Sequence, residues 1–399
     1  MRIKILIATA FFLIAVFGAG FLVSESTVIA PVGSEQVSLH APPALLPAAE
    51  SSGITEIQAP APPETPAQEV RGAVTEPGKP DPEESDEEPE EAEQPNPLVT
   101  LTISAAGDVT LGGDPRGSHF FLNEFRRHDQ DHGHFLKDFR HIFEEDDLTI
   151  VNLEGTLTDV ELHRDRTFVF KGPPHLARVL SSSGVEAVSL ANNHTMDFLA
   201  EGYQDTKEAL DVENIIWFGN ESNAITEIKG ISVGMFGFLA WSGTRNIEKL
   251  VSAAIDDLRD RGAQLIIAYF HWGSEYATMP NNSQRAIARY AIDNGADLVL
   301  GAHPHVMQGI EVYNGKNIVY SLGNFCFGGN SNPADKDTFV FQQTFTFYDG
   351  QLLETNETNI IPALISSKRG RNDFQPTIAR GDDAERILER LEMYSSWLT

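Results

Sequence analysis

The sequence predicts an α/β domain from Leu98 to the C-terminus, and three observations support that prediction. Short runs of β-branched residues alternate with amphipathic helical stretches as far as about residue 305, which is typical of α/β domains. Polar motifs directly follow five of the predicted strands. The remaining sequence is β-rich, with hairpin-type Asn-Gly and Asp-Gly turns at 314–315 and 349–350.

The individual elements follow from these patterns. We predict strands at 98–108, 148–155, 187–194, 215–219, 231–241, 263–273 and 297–305. We predict helices at 134–147, 175–184, 200–213, 246–262, 283–295 and 382–398. In the last helix we expect Ile387, Leu388, Leu391 and Tyr394 to serve packing.

Residues 1–23 predict a membrane anchor. Arg2 and Lys4 precede an uncharged run that ends at Val23 and is about as long as a bilayer-spanning helix requires. No small-x-small cleavage site follows, which favours an uncleaved anchor over a cleaved signal peptide. The positive-inside rule then predicts a single-pass protein of the cell membrane whose C-terminal domain is extracellular.

Residues 24–97 predict a disordered, acidic linker rich in Pro, Ala, Glu and Ser. The linker holds 16 acidic and 2 basic residues, which accounts for about half of the formal net charge of −29. The folded domain, 98–399, is therefore acidic too, which argues against nucleic-acid binding. Cys326 is the one cysteine in the chain, so an intramolecular disulfide and a cysteine-based metal site are both excluded.

The five polar motifs predict a metal site. They are Gly107-Asp108, Asn152-Leu153-Glu154, Asn192-Asn193-His194, His271-Trp272-Gly273 and His303-Pro304-His305. In open α/β sheets the ligand site lies beyond the carboxyl ends of the strands, so we expect these motifs to converge on one crevice. Carboxylate, amide and imidazole donors suit Mn, Fe or Zn, and the number of donors is sufficient for one or two divalent ions.

Taken alone, most of these motifs also have a structural explanation. Asp108 and Glu154 can cap turns, Asn193-His194 can form an ordinary turn, and His271 can be a core histidine. His303 and His305 are hard to explain by packing, because two imidazoles one residue apart end the same strand. A histidine-rich stretch at 128–141 is interpreted as a solvated helix entry rather than a second metal site.

A series of motifs carries a family resemblance: GDVTLGGD, DDLTIVNLEGTLT, FKGPP, LANNHTMDF, HWGSEY, GAHPHVMQGIE and YSLGNF. From Leu98 to Pro376 the chain resembles the capsule-synthesis protein CapA family, also called the PgsA type, which is associated with bacterial poly-γ-glutamate production. That family is similar to the calcineurin-like metallophosphoesterases. The resemblance therefore implies a four-layer α/β/β/α sandwich.

The resemblance also implies roles for the motif residues. One ion would be held by Glu154, Asn193, His271 and His303, and the other by Asp108, Glu154 and His305, with Glu154 as the bridge. Thr110 stands where the metallophosphoesterase pattern has a histidine. We therefore expect the second ion to bind more weakly than the first.

Four further residues receive roles from the resemblance. His194 is the expected catalytic residue, as general acid or transition-state stabiliser. Lys171, Glu275 and Asn324 lie in family-like motifs and are candidates for substrate binding. The alternative for these three is a surface lysine and two turn-capping residues.

The expected function is a component of poly-γ-glutamate capsule synthesis or export with an extracellular, metal-dependent hydrolase-like domain. Its expected partners are the membrane, capsule-synthase membrane subunits and the polymer. One alternative is a surface metallophosphoesterase or amide hydrolase unrelated to capsule. Another is a non-catalytic polymer-binding scaffold, which Thr110 favours.

Overall fold

The computed structural model describes residues 98–117, 119–241, 246–353 and 357–398. The predicted anchor and linker lie outside these residues. Within the described ranges, no helix combines the length and apolar character needed to cross a bilayer.

The strands of the described residues form two large sheets and one two-stranded ladder. In chain order they are β1 (Val99–Thr110), β2 (Leu148–Leu153), β3 (Thr156–Leu157), β4 (Lys171–Gly172), β5 (Ala187–Ser189), β6 (Ile216–Phe218), β7 (Ala224–Ile228), β8 (Ile231–Ala240), β9 (Leu265–Trp272), β10 (Leu298–Ala302), β11 (Ile310–Tyr313), β12 (Lys316–Val319), β13 (Asn324–Phe327), β14 (Asp337–Tyr348), β15 (Gln351–Leu352), β16 (Glu357–Leu364) and β17 (Thr377–Ile378).

The helices of the described residues pack against these sheets. They are α1 (Phe120–Arg127), α2 (Arg140–Glu145), α3 (Arg178–Ser181), α4 (Leu199–Val212), α5 (Ile247–Asp260), α6 (Asn282–Asp293) and α7 (Asp382–Ser396). Short 3₁₀ turns at His132–His134 and Pro174–Ala177 precede α2 and α3.

The first sheet is built around β1. Its strand order is β17-β16-β14-β1-β2-β5-β6, with β13 beside β1 and β15 beside β14. Strands β1, β2, β5 and β6 are parallel, whereas β14 pairs with β1 in the antiparallel sense. Strands β1, β2 and β5 are buried along most of their length, as expected for a sheet that is covered on both faces.

The second sheet has the strand order β11-β12-β10-β9-β8-β7. Its four central strands, β12, β10, β9 and β8, are parallel. The edge strands β11 and β7 are antiparallel to their neighbours. Strand β9 is buried at every position, because it lies near the middle of the sheet.

The two sheets face each other across an apolar core. Ile103 and Ile150 of the first sheet and Ile267 and Leu300 of the second belong to the same buried cluster. Helices α3 and α4 pack on the outer face of the first sheet, and α5 and α6 pack on the outer face of the second. The described residues therefore form a mixed α/β domain with helices on the outer faces of two facing sheets.

The predicted α/β class is confirmed, and most predicted elements are present. The helix expected at 134–147 is shorter, because only Arg140–Glu145 is α-helical, and helix α1 was not predicted. The packing role expected for Leu388 is wrong, since this side chain is 41% exposed. Its neighbour Ile387 takes the buried position on that turn of α7.

Candidate metal centre

The first sheet places three of the predicted donors side by side. Asp108 lies in β1 and pairs in register with Asn152 of β2, so Glu154, two residues later, follows the end of the adjacent strand. The Glu154 amide donates to the Val109 carbonyl at 2.8 Å, which fixes the turn. Asn193 follows β5, the next strand in the sheet.

The second sheet contributes the imidazoles. His271 lies in β9 opposite Ala302 of β10, and His303 and His305 follow the end of β10. The backbone φ angles of His303 and His305 are positive, at 95° and 57° respectively. Such values are uncommon outside glycine and are found preferentially at functional sites.

The donors of the two sheets converge in two overlapping groups. The donor atoms of Glu154, His271 and His303 lie within 4.8 Å of one another, and so do those of Asp108, Glu154 and His305. His271 Nε2 is 3.7 Å from Glu154 Oε1. His305 Nδ1 is 3.1 Å from Asp108 Oδ2 and 3.9 Å from Glu154 Oε2. Glu154 belongs to both groups, so its two carboxylate oxygens can serve two adjacent ions.

Asn193 lies beside the first of these groups. Its Oδ1 is 2.7 Å from His271 Nε2, so an amide oxygen is available next to that imidazole. The first group thus offers four donor side chains and the second offers three. The weaker binding of a second ion that Thr110 leads us to expect stays a prediction.

Several donor atoms at the centre are buried without a hydrogen-bond partner among the described residues. They are both carboxylate oxygens of Glu154 and Nδ1 of His303, whereas Asp108 Oδ2 has His305 Nδ1 at 3.1 Å. An unpaired buried polar atom costs about 1–3 kcal/mol, and more if it is charged. A divalent cation held by these atoms would satisfy them, so the residues present fit a metal ion.

The electrostatics of the centre favour the neutral, metal-binding form of two of the second sheet's three imidazoles, His271 and His303. Burial, together with the nearby imidazoles, lowers the pKa of His271 well below its usual value and that of His303 to about 4. Both rings are therefore neutral at pH 7 and able to act as ligands. Burial and the neighbouring Asp108 raise the pKa of Glu154 well above its usual value. Burial acts to lower the pKa of His305, but Glu154 and Asp108 outweigh it and raise that pKa to about 9. At pH 7 the two carboxylates therefore keep a proton on His305, and a metal ion bound to that ring would have to displace this proton.

Asn152 connects the two donor groups. Its Nδ2 donates to Asp108 Oδ1 at 2.8 Å and lies 3.2 Å from His271 Nδ1. Asn192 in turn donates from Nδ2 to Asn152 Oδ1 at 3.2 Å. Hydrogen bonds of this kind orient metal ligands, so Asn152 holds one ligand of each group.

His194 faces the centre from a different direction and is oriented by Asp197. Its Nδ1 lies 2.6 Å from Asp197 Oδ2, and its Nε2 is 3.8 Å from Glu154 Oε1. The fully buried Asp197 carboxylate also accepts from the Phe170 amide at 2.8 Å and from Arg166 Nη1 at 3.1 Å. Nε2 of His194 is therefore the ring atom left to face a ligand at the centre.

Thr110 supports the backbone rather than the metal. Its hydroxyl donates to the Glu154 carbonyl at 2.8 Å and is buried. This contact holds the turn that carries Glu154 but adds no imidazole to the second donor group.

A cleft of about 900 Å³ opens beside the centre and is lined by all three predicted substrate-binding residues. Asn324 Oδ1 lies 2.9 Å from His305 Nδ1, so it orients that ring. The Lys171 ammonium donates to the Val160 carbonyl at 2.7 Å and pairs with Glu161 at 2.9 Å, and its side chain is only 12% exposed. Lys171 thus braces a cleft wall and is not a surface lysine. Glu275 is exposed at the cleft.

The histidine-rich stretch forms paired rings rather than a third donor group. His132 Nε2 lies 3.1 Å from His175 Nδ1, and the rings of His128 and His134 stack at 3.6 Å. None of these residues belongs to the three-donor groups found in the described part of the chain.

Three residues near the centre were not predicted as site residues. Asn152 and Asp197 each had a weak signal, since Asn152 is a polar residue in an apolar strand and Asp197 follows His194 by one helical turn. Trp241 had none, yet its ring lies edge-on to His303 with centroids 4.5 Å apart.

Comparison with known proteins places these residues in a family. The family described as "Bacterial capsule synthesis protein PGA_cap" matches residues 102–329, more than half of the chain. The PGA biosynthesis protein CapA of Bacillus subtilis (strain 168) is 31% identical over 208 residues, which cover 47% of this chain and 54% of that protein. The capsule biosynthesis protein CapA of Bacillus anthracis is 29% identical over 185 residues, which cover 41% of this chain and 45% of that protein. The chain thus spans about half the length of the curated relatives it matches.

Among solved structures, a phosphatase from Mycoplasma pneumoniae aligns with 66% of this chain and 94% of its own, at 14% identity and a TM-score of 0.41.

Proposed function

Because the chain belongs to the bacterial capsule synthesis protein family, we propose that it takes part in poly-γ-glutamate capsule synthesis or export and that its folded domain is a metal-dependent phosphoesterase. The observation that supports the enzymatic part is the set of buried donor atoms on Glu154 and His303 that have no hydrogen-bond partner among the described residues. They lie on facing sheets, as in the metallophosphoesterase-type sandwich that the resemblance implies.

The donor groups suggest how ions would be held. Glu154, Asn193, His271 and His303 would hold the first ion, whereas Asp108, Glu154 and His305 would hold a second one less firmly. Mn, Fe and Zn all suit this mixture of oxygen and imidazole donors. A bound divalent ion would polarise a phosphoryl oxygen and lower the pKa of a bound water to near 7.

The chain's own residues would supply proton transfer and orientation. His194 Nε2 faces the centre, so it would give a proton to the leaving oxygen of the ester. Asp197 fixes the orientation of that ring through the 2.6 Å contact with Nδ1. The Phe170 ring, 4.2 Å from the His194 ring, keeps water from one side of it.

The proposed location is the outer side of the cell membrane. Arg2 and Lys4 before the apolar run, and the acidic linker after it, support a single-pass anchor with an extracellular domain. Capsule-synthase membrane subunits and poly-γ-glutamate are the proposed partners.

Metal analysis and turnover of bis(p-nitrophenyl) phosphate by the full chain test the enzymatic proposal. His194→Ala should retain the metal but lose on the order of a hundredfold or more in kcat, the usual scale for one acid–base group. Glu154→Ala should lose both metal and activity, because it removes the shared ligand. His141→Ala, a change at an exposed histidine of α2, is the matched control and should behave as wild type. Release of metal by His194→Ala would make His194 a ligand and contradict its assigned role.

A non-catalytic polymer-binding scaffold is the second candidate, and Thr110 is the observation that favours it. Because this residue is a threonine, one donor group lacks an imidazole. Its hydroxyl donates to the Glu154 carbonyl and is not available as a replacement ligand. A scaffold would support capsule formation in cells when His194 is replaced by alanine. If capsule formation requires turnover by this enzyme, the same substitution should abolish capsule formation.

A further inference from the structure

An apolar surface begins at the imidazoles of the centre. The Phe170 ring lies 4.2 Å from the His194 ring, and the Phe327 ring lies 4.9 Å from the His305 ring. Phe170 and Phe327 meet edge to face at 6.1 Å, and both line the cleft. Both residues are 5% exposed, so a group attached to an anion at the centre would contact only the small part of each ring that faces the cleft.

Two further phenylalanines of the same cleft are exposed to solvent. Phe120 is 51% exposed and Phe168 is 60% exposed, and both line the cleft. Large apolar side chains exposed in a concave site are typical of ligand binding.

The segment that carries Phe168 is held in place on both sides of that residue. Arg116 Nη2 donates to the Thr167 carbonyl at 2.8 Å, and the Val169 amide donates to Asp114 Oδ2 at 3.3 Å. These contacts fix the backbone on both sides of Phe168, so this residue lies at the cleft before a ligand binds.

The charges of the cleft wall are unsuited to a polyanion. Arg116 is paired with Asp114 at 2.6 Å, and Lys171 is paired with Glu161 at 2.9 Å. Glu275 adds a carboxylate that has no ion-pair partner among the described residues. A chain of repeated carboxylates would thus meet a neutral to acidic wall beyond the centre, and only one anionic group is favoured there.

We infer that the cleft binds an aliphatic phosphate ester, with the phosphate at the centre and the hydrocarbon chain along Phe170, Phe327, Phe168 and Phe120. This inference rests on the proposed phosphoesterase function and names its substrate class. The polymer itself is then not the molecule that enters the cleft.

Calorimetric titration in Mn²⁺ tests the inference, with inorganic phosphate, methyl phosphate, hexyl phosphate and poly-γ-glutamate as probes. The full chain carries His194→Ala, which should keep the metal and slow hydrolysis of the two esters during the titration. One fully buried methylene raises affinity roughly fourfold. Burial of two of the five additional methylenes would therefore make hexyl phosphate more than about tenfold tighter than methyl phosphate. The double substitution Phe120→Ser and Phe168→Ser should reduce that ratio to about threefold or less and leave the affinity for inorganic phosphate unchanged. Leu250→Ser, at an exposed leucine of α5 outside the cleft, is the control and should retain the full ratio.

The outcomes separate this inference from the function on which it rests. If inorganic phosphate binds but methyl and hexyl phosphate bind equally well, the inference is wrong and the phosphoesterase proposal stands. A hexyl preference that survives the double substitution, or poly-γ-glutamate binding tighter than hexyl phosphate, also overturns the inference. If inorganic phosphate itself fails to bind in Mn²⁺, the proposed function falls and the inference falls with it.

Discussion

Replacing Asp197 with asparagine should disable His194 without releasing the metal. The Asp197 carboxylate is fully buried and receives three contacts, from His194 Nδ1 at 2.6 Å, the Phe170 amide at 2.8 Å and Arg166 Nη1 at 3.1 Å. Asparagine has the same shape but only one side-chain oxygen and no charge. It can keep the oxygen towards His194 and Phe170 only by turning its NH₂ group towards the Arg166 guanidinium.

The magnitude follows from those contacts. Loss of a hydrogen bond to a charged group costs about 1.5–3 kcal/mol. The Arg166 side chain is 36% exposed and can be rehydrated, so we expect the lower part of this range, about 1.5–2 kcal/mol of unfolding free energy. The weaker hold on His194 should lower kcat by roughly ten- to a hundredfold, up to the scale of one acid–base group. KM and metal content should remain close to wild type, because neither donor group contains Asp197.

A double-mutant cycle with His194→Ala provides the decisive assay. Residues that act as a unit are non-additive, so Asp197→Asn should cost little further kcat once His194 is alanine. Thermal unfolding measures the change in the free energy of unfolding, and metal analysis measures the number of ions bound per chain. Full additivity in kcat, or loss of metal as large as in Glu154→Ala, would refute the assignment of Asp197 as a positioning residue.

Three other predictions concern the ions, the pH dependence of stability and the topology. His303→Ala should weaken Mn²⁺ binding in a metal titration more than His305→Ala does, because His303 belongs to the group with four donors; two equally tight ions in the wild type would count against this. Burial raises the pKa of Glu186 to about 7 in the folded chain, so the folded state holds that proton more firmly than the unfolded one and stability declines as pH rises from about 4.5 to 7. Glu186→Gln should therefore become more stable than wild type as pH rises, by about 1 kcal/mol at pH 8 after allowance for its partial exposure, and a pH-independent difference in Tm would contradict this. External protease should release a soluble domain of about 300 residues from intact cells by cutting before Leu98; a chain that stays intact under that treatment would reverse the topology.

Local patterns in the sequence account for most of the elements and for the type of site. The helix at 246–262 was predictable because its apolar residues recur at helical spacing, and α5 occupies Ile247–Asp260. Helix α1 was not predictable, because a helix of eight residues is too short for its periodic pattern to be distinguished from that of a loop. The prediction for 134–147 was too long, since apolar residues of that segment, such as Phe135, are buried in turns rather than along a helix face.

The sequence by itself therefore determined that carboxylate, amide and imidazole donors follow the strands of an α/β domain, since strand ends and turn residues are local properties. The two-sheet arrangement was implied by the family resemblance and not by any local pattern. Only the tertiary structure decided which donors of the two facing sheets meet. The 2.7 Å contact between Asn193 and His271 joins residues 78 positions apart. The hydrophobic burial that brings the sheets together is non-directional, so no local pattern specifies which strand ends will face each other. The same holds for the cleft, because no local pattern shows that the Lys171 ammonium pairs with Glu161 in the cleft wall; substrate binding by Lys171 stays a prediction.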